Sequence, residues 1–496
     1  MSVDPRTPVL VGVGQVTNRD GDLVDPLTLA AEATRVALSD AGGRLVPDTI
    51  AMPGVLAPRT EHPAQRLGAM LGIEARRHLS STIGGNTPQW LVGVLGADIL
   101  AGRCDVALIA GSEAGASMRR ARTHGLEPPA AAAPTGADTE IGDQRFGASE
   151  AEVAAGLAPP PFLYPILESA VAHRAGRTLD QQRRFLGTFM APATAVAASH
   201  PDLAWFPRAA TPAELVEPIP TNRMIAEPYT KRMNAIIEVD QAAALVLCSV
   251  EAAERAGVPR DRWVFPLGVA DLNDVFYPAQ RPELHRSPAI ETAGRRLLAE
   301  TGIGLDDISR FDFYSCFPVA VEISATALGL DLGDERPFTV TGGHAYFGGP
   351  GNNYTTHSIA TMAAELRADP GAIGLTTGLG WYVTKHSIGL WSTEPRRGGF
   401  VRPDLSEHQR RIDATAIPLA GTEAGGEARV DGWTVIHERE SGPSAVVAYA
   451  SNTHSQRTVV RCEDAALAAE LSGGQLVGAT IEVVPRPGGA PNFRIM

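Results

Sequence analysis

One pattern near the start of the chain recurs about 260 residues later, and this internal repeat limits the fold more than any other feature. Residues 25–50 read DPLTLAAEATRVALSDAGGRLVPDTI, and residues 287–308 read SPAIETAGRRLLAETGIGLDDI. Each copy has a polar cap, a proline, a helical pattern that ends at glycine, and an acidic turn leading to a strand. In a chain of 496 residues, too long for one typical domain, this repeat predicts two similar α/β halves.

Short apolar, β-branched runs next to helical patterns predict the elements of these halves. Asp25 is a candidate N-cap for the first helix, and Gly42 is its candidate stop. Strands are predicted at 8–17, 104–111, 239–249 and in 311–317, and helices at 25–42, 87–102 and over roughly 165–200.

Two stretches depart from the α/β pattern. Residues 118–165 are rich in alanine, proline and glycine with little periodicity, which predicts an insertion or lid loop. From about residue 409 the chain alternates in short β-like runs, at the spacing of a small barrel or sandwich. We therefore expect a separate C-terminal β domain.

Composition excludes several classes of function. A net charge of −13 argues against nucleic-acid binding, because phosphate recognition needs a basic surface. No apolar run approaches the roughly 20 residues of a membrane span. None of Cys104, Cys248, Cys316 and Cys462 forms a C-x-x-C pair. We therefore predict no metal site and a reducing, cytoplasmic location.

Four segments carry a resemblance to a known family: 107–113 (ALIAGSE), 234–244 (Asn234, then VDQAAA), 314–318 (YSCFP) and 342–351 (GGHAYFGGPG). In this order and spacing they resemble the thiolase superfamily, particularly its sterol-carrier-protein-X-like branch, over residues 1–400. A thiolase core followed by a β domain is similar to the thiolase-like proteins called type 1.

The resemblance implies a thiolase fold, with two duplicated βαβαβαββ halves in five layers (α/β/α/β/α) and a C-terminal OB-like β-barrel. The implied units are 1–117 with 226–262, a loop domain at 118–225, 263–408, and 409–496. The family is filed under acetyl-CoA acetyltransferases. Its thiolases use a nucleophilic cysteine at a helix N-terminus, an activating histidine and a second cysteine.

All three of these family positions fall on glycine. The family spacing places the nucleophile at Gly85, the histidine at Gly349 and the second cysteine near Gly378. No cysteine lies within 1–103 or between 317 and 461. Without a nucleophile no acyl-enzyme forms, so we expect little or no thiolase activity.

Candidate ligand-binding residues lie near these positions. The start of the helix after residue 86 is either an N–H cradle for a carbonyl or a tight turn. The asparagines after Gly349 are candidate donors to a carbonyl, and the arginines near 120 either meet coenzyme A phosphates or are solvated. Ile236 replaces the serine that thiolases use on the pantetheine arm. The candidates are Gly84, Gly85, Asn86, Asn352, Asn353, Arg119, Arg120 and Arg122.

Candidates for other chemistry are two tyrosines, two histidines and a cysteine. Tyr314 and Tyr346 are either an acid/base pair, as in thiolase-fold aldolases that shorten steroid side chains, or pocket wall. His344 and His357 either replace the lost base or are simply hydrogen-bonded. Cys316 is either a substitute nucleophile or a buried structural thiol.

Three functions remain open on this reading. The first is binding of coenzyme A or an acyl-CoA in fatty-acid or sterol metabolism, without acyl-cysteine chemistry. The second is an aldolase or lyase that uses the two tyrosines. The third is a non-catalytic partner of another acyl-CoA enzyme, as a monomer or homodimer. Trp433, Tyr449 and Arg457 of the β domain point weakly to nucleic acid, and a docking or lid role is the alternative.

Overall fold

The computed structural model describes residues 3–129, 133, 136–421 and 423–496. Part of the predicted lid loop, residues 130–132 and 134–135, lies outside the described residues. The predicted first strand and first helix are confirmed, and the Asp25 side chain caps the helix by accepting from the N–H groups of Leu27 and Thr28. The first elements are β1 (Pro8–Thr17), α1 (Pro26–Asp40), β2 (Thr49–Met52), α2 (Pro63–Leu71), β3 (Arg77–Ser81), α3 (Thr87–Leu100) and β4 (Val106–Ala114).

The predicted lid loop contains more regular structure than its composition indicates, so the expectation of a loop over 118–165 is wrong in part. Ser149 and Glu152 form a reciprocal capping box, and the prolines at the start of the helix Pro160–Arg174 occupy its first turn, where proline is tolerated. The elements are α4 (Gly115–His124), β5 (Thr139–Ile141), α5 (Glu150–Ala154), α6 (Pro160–Arg174), α7 (Leu179–Ala198), α8 (Pro212–Val216), β6 (Met224–Ala226) and β7 (Tyr229–Thr230).

The repeat predicted from sequence is visible in two sheets of matching topology. The remaining core elements are β8 (Asp240–Ser249), α9 (Val250–Ala256), β9 (Phe265–Asn273), α10 (Pro288–Thr301), β10 (Ile308–Asp312), α11 (Pro318–Leu328), α12 (Tyr354–Ala368), β11 (Ile373–Gly380), β12 (Lys385–Ser392) and α13 (Ser406–Asp413). The first sheet has the order β1-β8-β4-β2-β3-β5, and the second has the order β9-β12-β11-β10. In both, two antiparallel pairings are followed by a parallel one.

The layers follow from which helix packs on which sheet. Helices α3 and α12 lie between the two sheets, and their apolar side chains form one core with residues of β1, β4, β8 and β9. Helix α1 covers the outer face of the first sheet, and α10 with α11 covers the second. This is the mixed α/β, five-layered thiolase fold that the sequence predicts, and it brings the N-termini of α3 and α12 together.

A third sheet follows the two halves. Its elements are β13 (Gly426–Glu438), β14 (Gly442–Asn452), β15 (Arg457–Cys462), α14 (Ala465–Leu471), β16 (Thr480–Val484) and β17 (Asn492–Ile495). The strand order is β15-β14-β13-β16-β17, and β6 and β7 join it at β13. Arg461 N–H, at the end of β15, donates to the carbonyl of Pro491 just before β17 (2.8 Å). The sequence missed β17 and α14, because both are short and lie among turn residues.

The β-domain candidates for nucleic-acid contact are buried. Trp433 and Tyr449 are fully buried, and Arg457 is 2% exposed. The Tyr449 hydroxyl donates to the Glu152 carboxylate (2.6 Å), and Arg457 is paired with Asp431 (3.0 Å). These side chains therefore stabilise the third sheet and its contact with the core instead of forming a binding surface.

Candidate functional site

The predicted nucleophile turn lies between β3 and α3 and is held by the start of α12. The N–H of Gly84 donates to Asn352 Oδ1 (2.9 Å), and the Thr355 hydroxyl donates to the carbonyl of Gly85 (2.6 Å). Thr87, the first residue of α3, donates its hydroxyl to the carbonyl of Gly84 (2.7 Å). The structure thus brings the predicted cradle residues and Asn352 together, with Thr355 as a contact that the sequence did not indicate.

Tyr314 fills the space that a side chain at the nucleophile position needs. A Cβ atom built on Gly85 would lie 2.0 Å from the Tyr314 hydroxyl oxygen and 2.4 Å from Cζ. Tyr314 follows β10, its N–H donates to the Thr377 hydroxyl (2.8 Å), and it is 7% exposed. A cysteine at position 85 and this tyrosine conformer cannot coexist, because real Cβ atoms do not approach other atoms so closely.

The other two glycines that replace family residues lie against backbone of the same region. A Cβ on Gly378 would lie 2.8 Å from Asn86 Cα, at the N-terminus of α3. A Cβ on Gly349 would lie 3.1 Å from the carbonyl oxygen of Ile236 and 3.3 Å from His344 Cδ2. All three positions are therefore closely packed. Gly85 lies just before α3, and Gly378, on β11, packs against Asn86 at the start of that helix.

His344 lies between two tyrosines beside this turn, edge-to-face with Tyr314 and stacked on Tyr354. Its ring centroid lies 4.1 Å from that of Tyr314 and 3.5 Å from that of Tyr354. Its Nδ1 atom lies 3.4 Å from the Ser315 hydroxyl, and within the described part of the chain no hydrogen-bond partner reaches Nε2. Burial holds the pKa of His344 well below its ordinary value, so the imidazole is neutral.

Two other candidates have the environment of structural residues. Burial raises the pKa of the Cys316 thiol to about 12, so the thiolate needed for nucleophilic attack is scarce at neutral pH. His357 lies in α12, where its Nδ1 pairs with Gln15 Oε1 (2.8 Å) and burial lowers its pKa to about 3. Neither has the electrostatic surroundings of an activated group.

The two tyrosines proposed as an acid/base pair have different neighbours. The ring contacts of Tyr314 within the described residues are with His344 and Tyr354. Burial raises the pKa of Tyr346, and the charge of Arg232 opposes that shift. The Tyr346 hydroxyl is buried and finds no hydrogen-bond partner among the described residues.

The paired asparagines and two of the three candidate arginines already have partners within the chain. Asn352 Nδ2 donates to the carbonyl of Gly54 (2.6 Å), and Asn353 Nδ2 to the carbonyl of Gly111 (2.6 Å). Arg119 is paired with Glu238 (3.2 Å), Arg120 with the buried Asp240 (3.0 Å), and Arg122 is exposed on α4.

A cavity of about 520 Å³ opens between α7 and residues 331–339. Its lining includes Ser315 and Gly343, and Ser315 contacts His344. Its wall is predominantly apolar and includes Phe185, Phe189, Met190, Val196, Val321 and Phe338. A largely apolar cavity of this size is typical of small-molecule sites. The sequence did not indicate this cavity, because its two walls are more than 100 residues apart.

Two kinds of structural feature are absent from the described residues. No group of three His, Cys, Asp or Glu side chains there is arranged to hold a metal ion. No described helix is long and apolar enough to cross a membrane.

The chain is similar along its whole length to a solved thiolase-like structure. The monomeric SCP2-thiolase-like protein type 1 from Mycobacterium smegmatis is 32% identical, with 100% of each chain covered and a TM-score of 0.86. No protein-family model and no curated protein matches the sequence.

More distant structures share the fold. The Ltp2-ChsH2(DUF35) aldolase is 20% identical, with 79% of this chain and 99% of that chain covered and a TM-score of 0.60. The Acat5 thiolase from Ascaris suum, solved in complex with coenzyme A, is 15% identical, with 78% and 99% covered and a TM-score of 0.57. At these identities the likeness concerns the fold alone.

Proposed function

This chain belongs to the SCP2-thiolase-like proteins of type 1, and on that premise we propose that it binds an acyl-CoA, or a related lipid, through the acyl part without forming an acyl-cysteine. One observation carries the proposal: Ser315 lines an apolar cavity, and the residue before it, Tyr314, fills the space at the nucleophile position. The ligand then binds near the predicted nucleophile turn and forms no covalent bond with it.

The charged residues that line the cavity favour the acyl part of the ligand over the nucleotide. Asp331, Asp334 and Glu335 line it together with Arg177 and Arg336. Arg336 is already paired with Asp334 (2.6 Å), so its charge is largely neutralised. Since coenzyme A carries several negative charges, we expect burial of apolar surface to supply most of the affinity. The coenzyme A complex of the Acat5 thiolase supports this ligand class for the fold.

A titration with three ligands tests the proposal. Isothermal titration calorimetry compares coenzyme A, acetyl-CoA and a steroid acyl-CoA, alongside a thiolysis assay. We expect the steroid acyl-CoA to bind at least about tenfold more tightly than free coenzyme A, because it buries far more apolar surface. We also expect no thiolysis. Equal affinity for all three ligands would show that the acyl group does not contribute to binding, which contradicts the proposal.

A variant that blocks the cavity locates the binding site. Thr188 lies on α7 and lines the cavity, and Ala195 is exposed on the same helix and does not line the cavity. Thr188→Trp is expected to weaken binding of the steroid acyl-CoA by about tenfold or more, while Ala195→Trp retains it. If both variants bind as the wild type does, the ligand binds elsewhere.

The buried hydroxyl of Tyr346 favours a second candidate, a lyase acting on a steroid acyl-CoA. This hydroxyl has no partner within the described residues, and it could exchange a proton with a bound substrate. The similarity to the Ltp2-ChsH2(DUF35) aldolase supports testing this chemistry. Retro-aldol cleavage that persists in a Tyr314→Phe/Tyr346→Phe variant would exclude the two-tyrosine mechanism.

We propose that the chain acts as a monomer in the cytoplasm. The Mycobacterium smegmatis relative is described as monomeric, and all four cysteines of this chain are free and buried. A role as a non-catalytic partner of another acyl-CoA enzyme remains the third candidate. Light scattering of the purified protein tests the monomer, and a stable dimer would contradict it.

A further inference from the structure

A buried lysine, Lys385, contacts the predicted nucleophile turn at Ile83 and Gly84. Lys385, at the start of β12, is 4% exposed, and its Nζ donates to the carbonyl of Ile83. A Cβ built on Gly84 would lie 2.9 Å from this nitrogen. The chain contains only one other lysine, Lys231. A lysine buried at this turn, in a chain that otherwise uses arginine, suggests a role that needs an amine.

The amine borders a small cavity of about 150 Å³. Asn86, Trp90, Asp143 and Asp271 also line this cavity. Asn86 is 8% exposed, and among the described residues its Oδ1 atom has no hydrogen-bond partner. A cavity of this volume accommodates a molecule of about the size of benzene. The space therefore combines an amine with an unpaired acceptor.

The charges around the cavity favour a neutral ligand. Asp143 is paired with Arg145 (2.5 Å), and Asp271 with Arg402 (3.1 Å). Because both carboxylates are already paired with arginines, neither pair offers a strong net charge to a charged ligand. A small neutral molecule that carries a polar atom fits this set of neighbours best.

Burial also prepares the amine for nucleophilic attack. Desolvation lowers the pKa of Lys385 to about 8, although the charge of Asp143 acts in the opposite direction. Because an ordinary lysine has a pKa of about 10.4, the unprotonated fraction near neutral pH is raised by about two orders of magnitude. Only the unprotonated amine attacks a carbonyl carbon.

We propose that Lys385 condenses with a small neutral aldehyde or ketone in this cavity to form an imine. The amine nitrogen bonds to the carbonyl carbon, and proton transfer from nitrogen to oxygen gives a carbinolamine. That species loses its hydroxyl group with a second proton as water, which leaves the C=N bond with no net oxidation or reduction. Asn86 Oδ1 accepts the hydrogen bond of the carbinolamine hydroxyl. This activity is separate from binding in the cavity under α7.

Trapping by reduction tests the proposal on the unmodified chain. The folded protein is incubated with acetone or butanone and cyanoborohydride, which converts an imine into a stable secondary amine. Peptide mass spectrometry then gives the ratio of adduct at Lys385 to adduct at Lys231, which is exposed. The same ratio in guanidinium chloride serves as the unfolded reference. We expect the ratio to be about tenfold or more higher in the folded protein.

Matched variants assign the adduct. Lys385→Arg keeps the charge but cannot form an imine, so the excess adduct should disappear, whereas Lys231→Arg should retain it. A folded ratio equal to or below the unfolded ratio would overturn the proposal and leave Lys385 as a structural donor to Ile83. This comparison holds even if Lys385→Arg fails to fold. Thr188→Trp should leave the adduct unchanged, which separates this result from the acyl-binding proposal.

Discussion

At the scale of single residues, the site is distinguished by Tyr314, which occupies the space of the side chain that is absent at Gly85. Gly85 removes a side chain from the start of α3, and Tyr314, from the other half of the duplication, occupies that space. This conformer of Tyr314 requires glycine at position 85, because a side chain there and the tyrosine ring would overlap. The pair therefore forms a packed structural unit where a nucleophile would need free volume.

Gly85→Cys is expected to destabilise the protein by about 1–3 kcal/mol or more, because its Cβ overlaps the Tyr314 hydroxyl. Chemical denaturation measures the change in the free energy of unfolding. The control is Gly421→Cys, where a Cβ meets no described atom within 4 Å. In a Tyr314→Ala background, Gly85→Cys should cost less. An equal cost in both backgrounds would refute the overlap.

The site residues could be predicted only in part from the sequence. The family motifs place Gly84, Tyr314 and His344 in the same region, and the structure brings them together. The sequence did not indicate that Tyr314 fills the space beside Gly85, because residue spacing does not specify a rotamer. The sequence did not indicate Lys385, because this first residue of β12 lies about 300 residues after the turn that it contacts.

At the scale of elements, helices α6, α7 and α11 meet at a buried cluster of polar side chains. Gln182 Nε2 donates to Glu168 (2.6 Å) and lies 3.2 Å from a Glu322 oxygen. The Tyr229 hydroxyl donates to the other oxygen of Glu168 (2.5 Å). Burial raises the pKa of both carboxyl groups, and the charge of Glu168 raises that of Glu322 further. At least one proton is therefore held in this cluster.

The cluster makes stability depend on pH. Because the folded-state pKa of Glu322 is raised, its contribution is fully present below the unfolded-state pKa and is lost as pH rises through the folded-state value. Glu322→Gln stays neutral, so the free energy of unfolding should fall less with rising pH than in the wild type. Urea unfolding at a series of pH values measures this, with exposed Glu74→Gln as control. A slope identical to that of the wild type would contradict the assignment.

The elements that the sequence predicted best are those whose local signals agree with their packing. Strand β1 and helix α1 have a clear period, a cap and a stop, and both were predicted closely. Strand β5 is three residues long, and it forms only by pairing with β3. Helix α6 contains proline at its start and at Pro165, so its composition resembles a loop. Tertiary contacts decide such elements.

At the scale of the whole molecule, the third sheet is tied to the core by buried polar contacts. Arg457 donates to the carbonyl of Arg281 (2.5 Å), and the N–H of Trp433 donates to the Ser169 hydroxyl (2.8 Å). The carboxylate of Glu227 accepts from Ser472 and from the N–H of Gly473. These contacts link the last part of the chain to residues more than 150 positions earlier.

We therefore expect the thiolase-like core and residues 409–496 to unfold in one cooperative transition, because separating them would leave these buried polar groups unpaired. Differential scanning calorimetry measures the number of transitions, and near-ultraviolet circular dichroism follows the buried aromatic residues. Two transitions well separated in temperature would show that the third sheet is an independent domain.

We propose that the protein binds an acyl ligand and that none of its cysteines becomes acylated. The most direct test is peptide mass spectrometry of the four cysteines after incubation with the steroid acyl-CoA at a concentration that saturates binding in calorimetry. We expect saturable binding with every cysteine unmodified. An acyl group on Cys316 that forms and turns over with coenzyme A would contradict it.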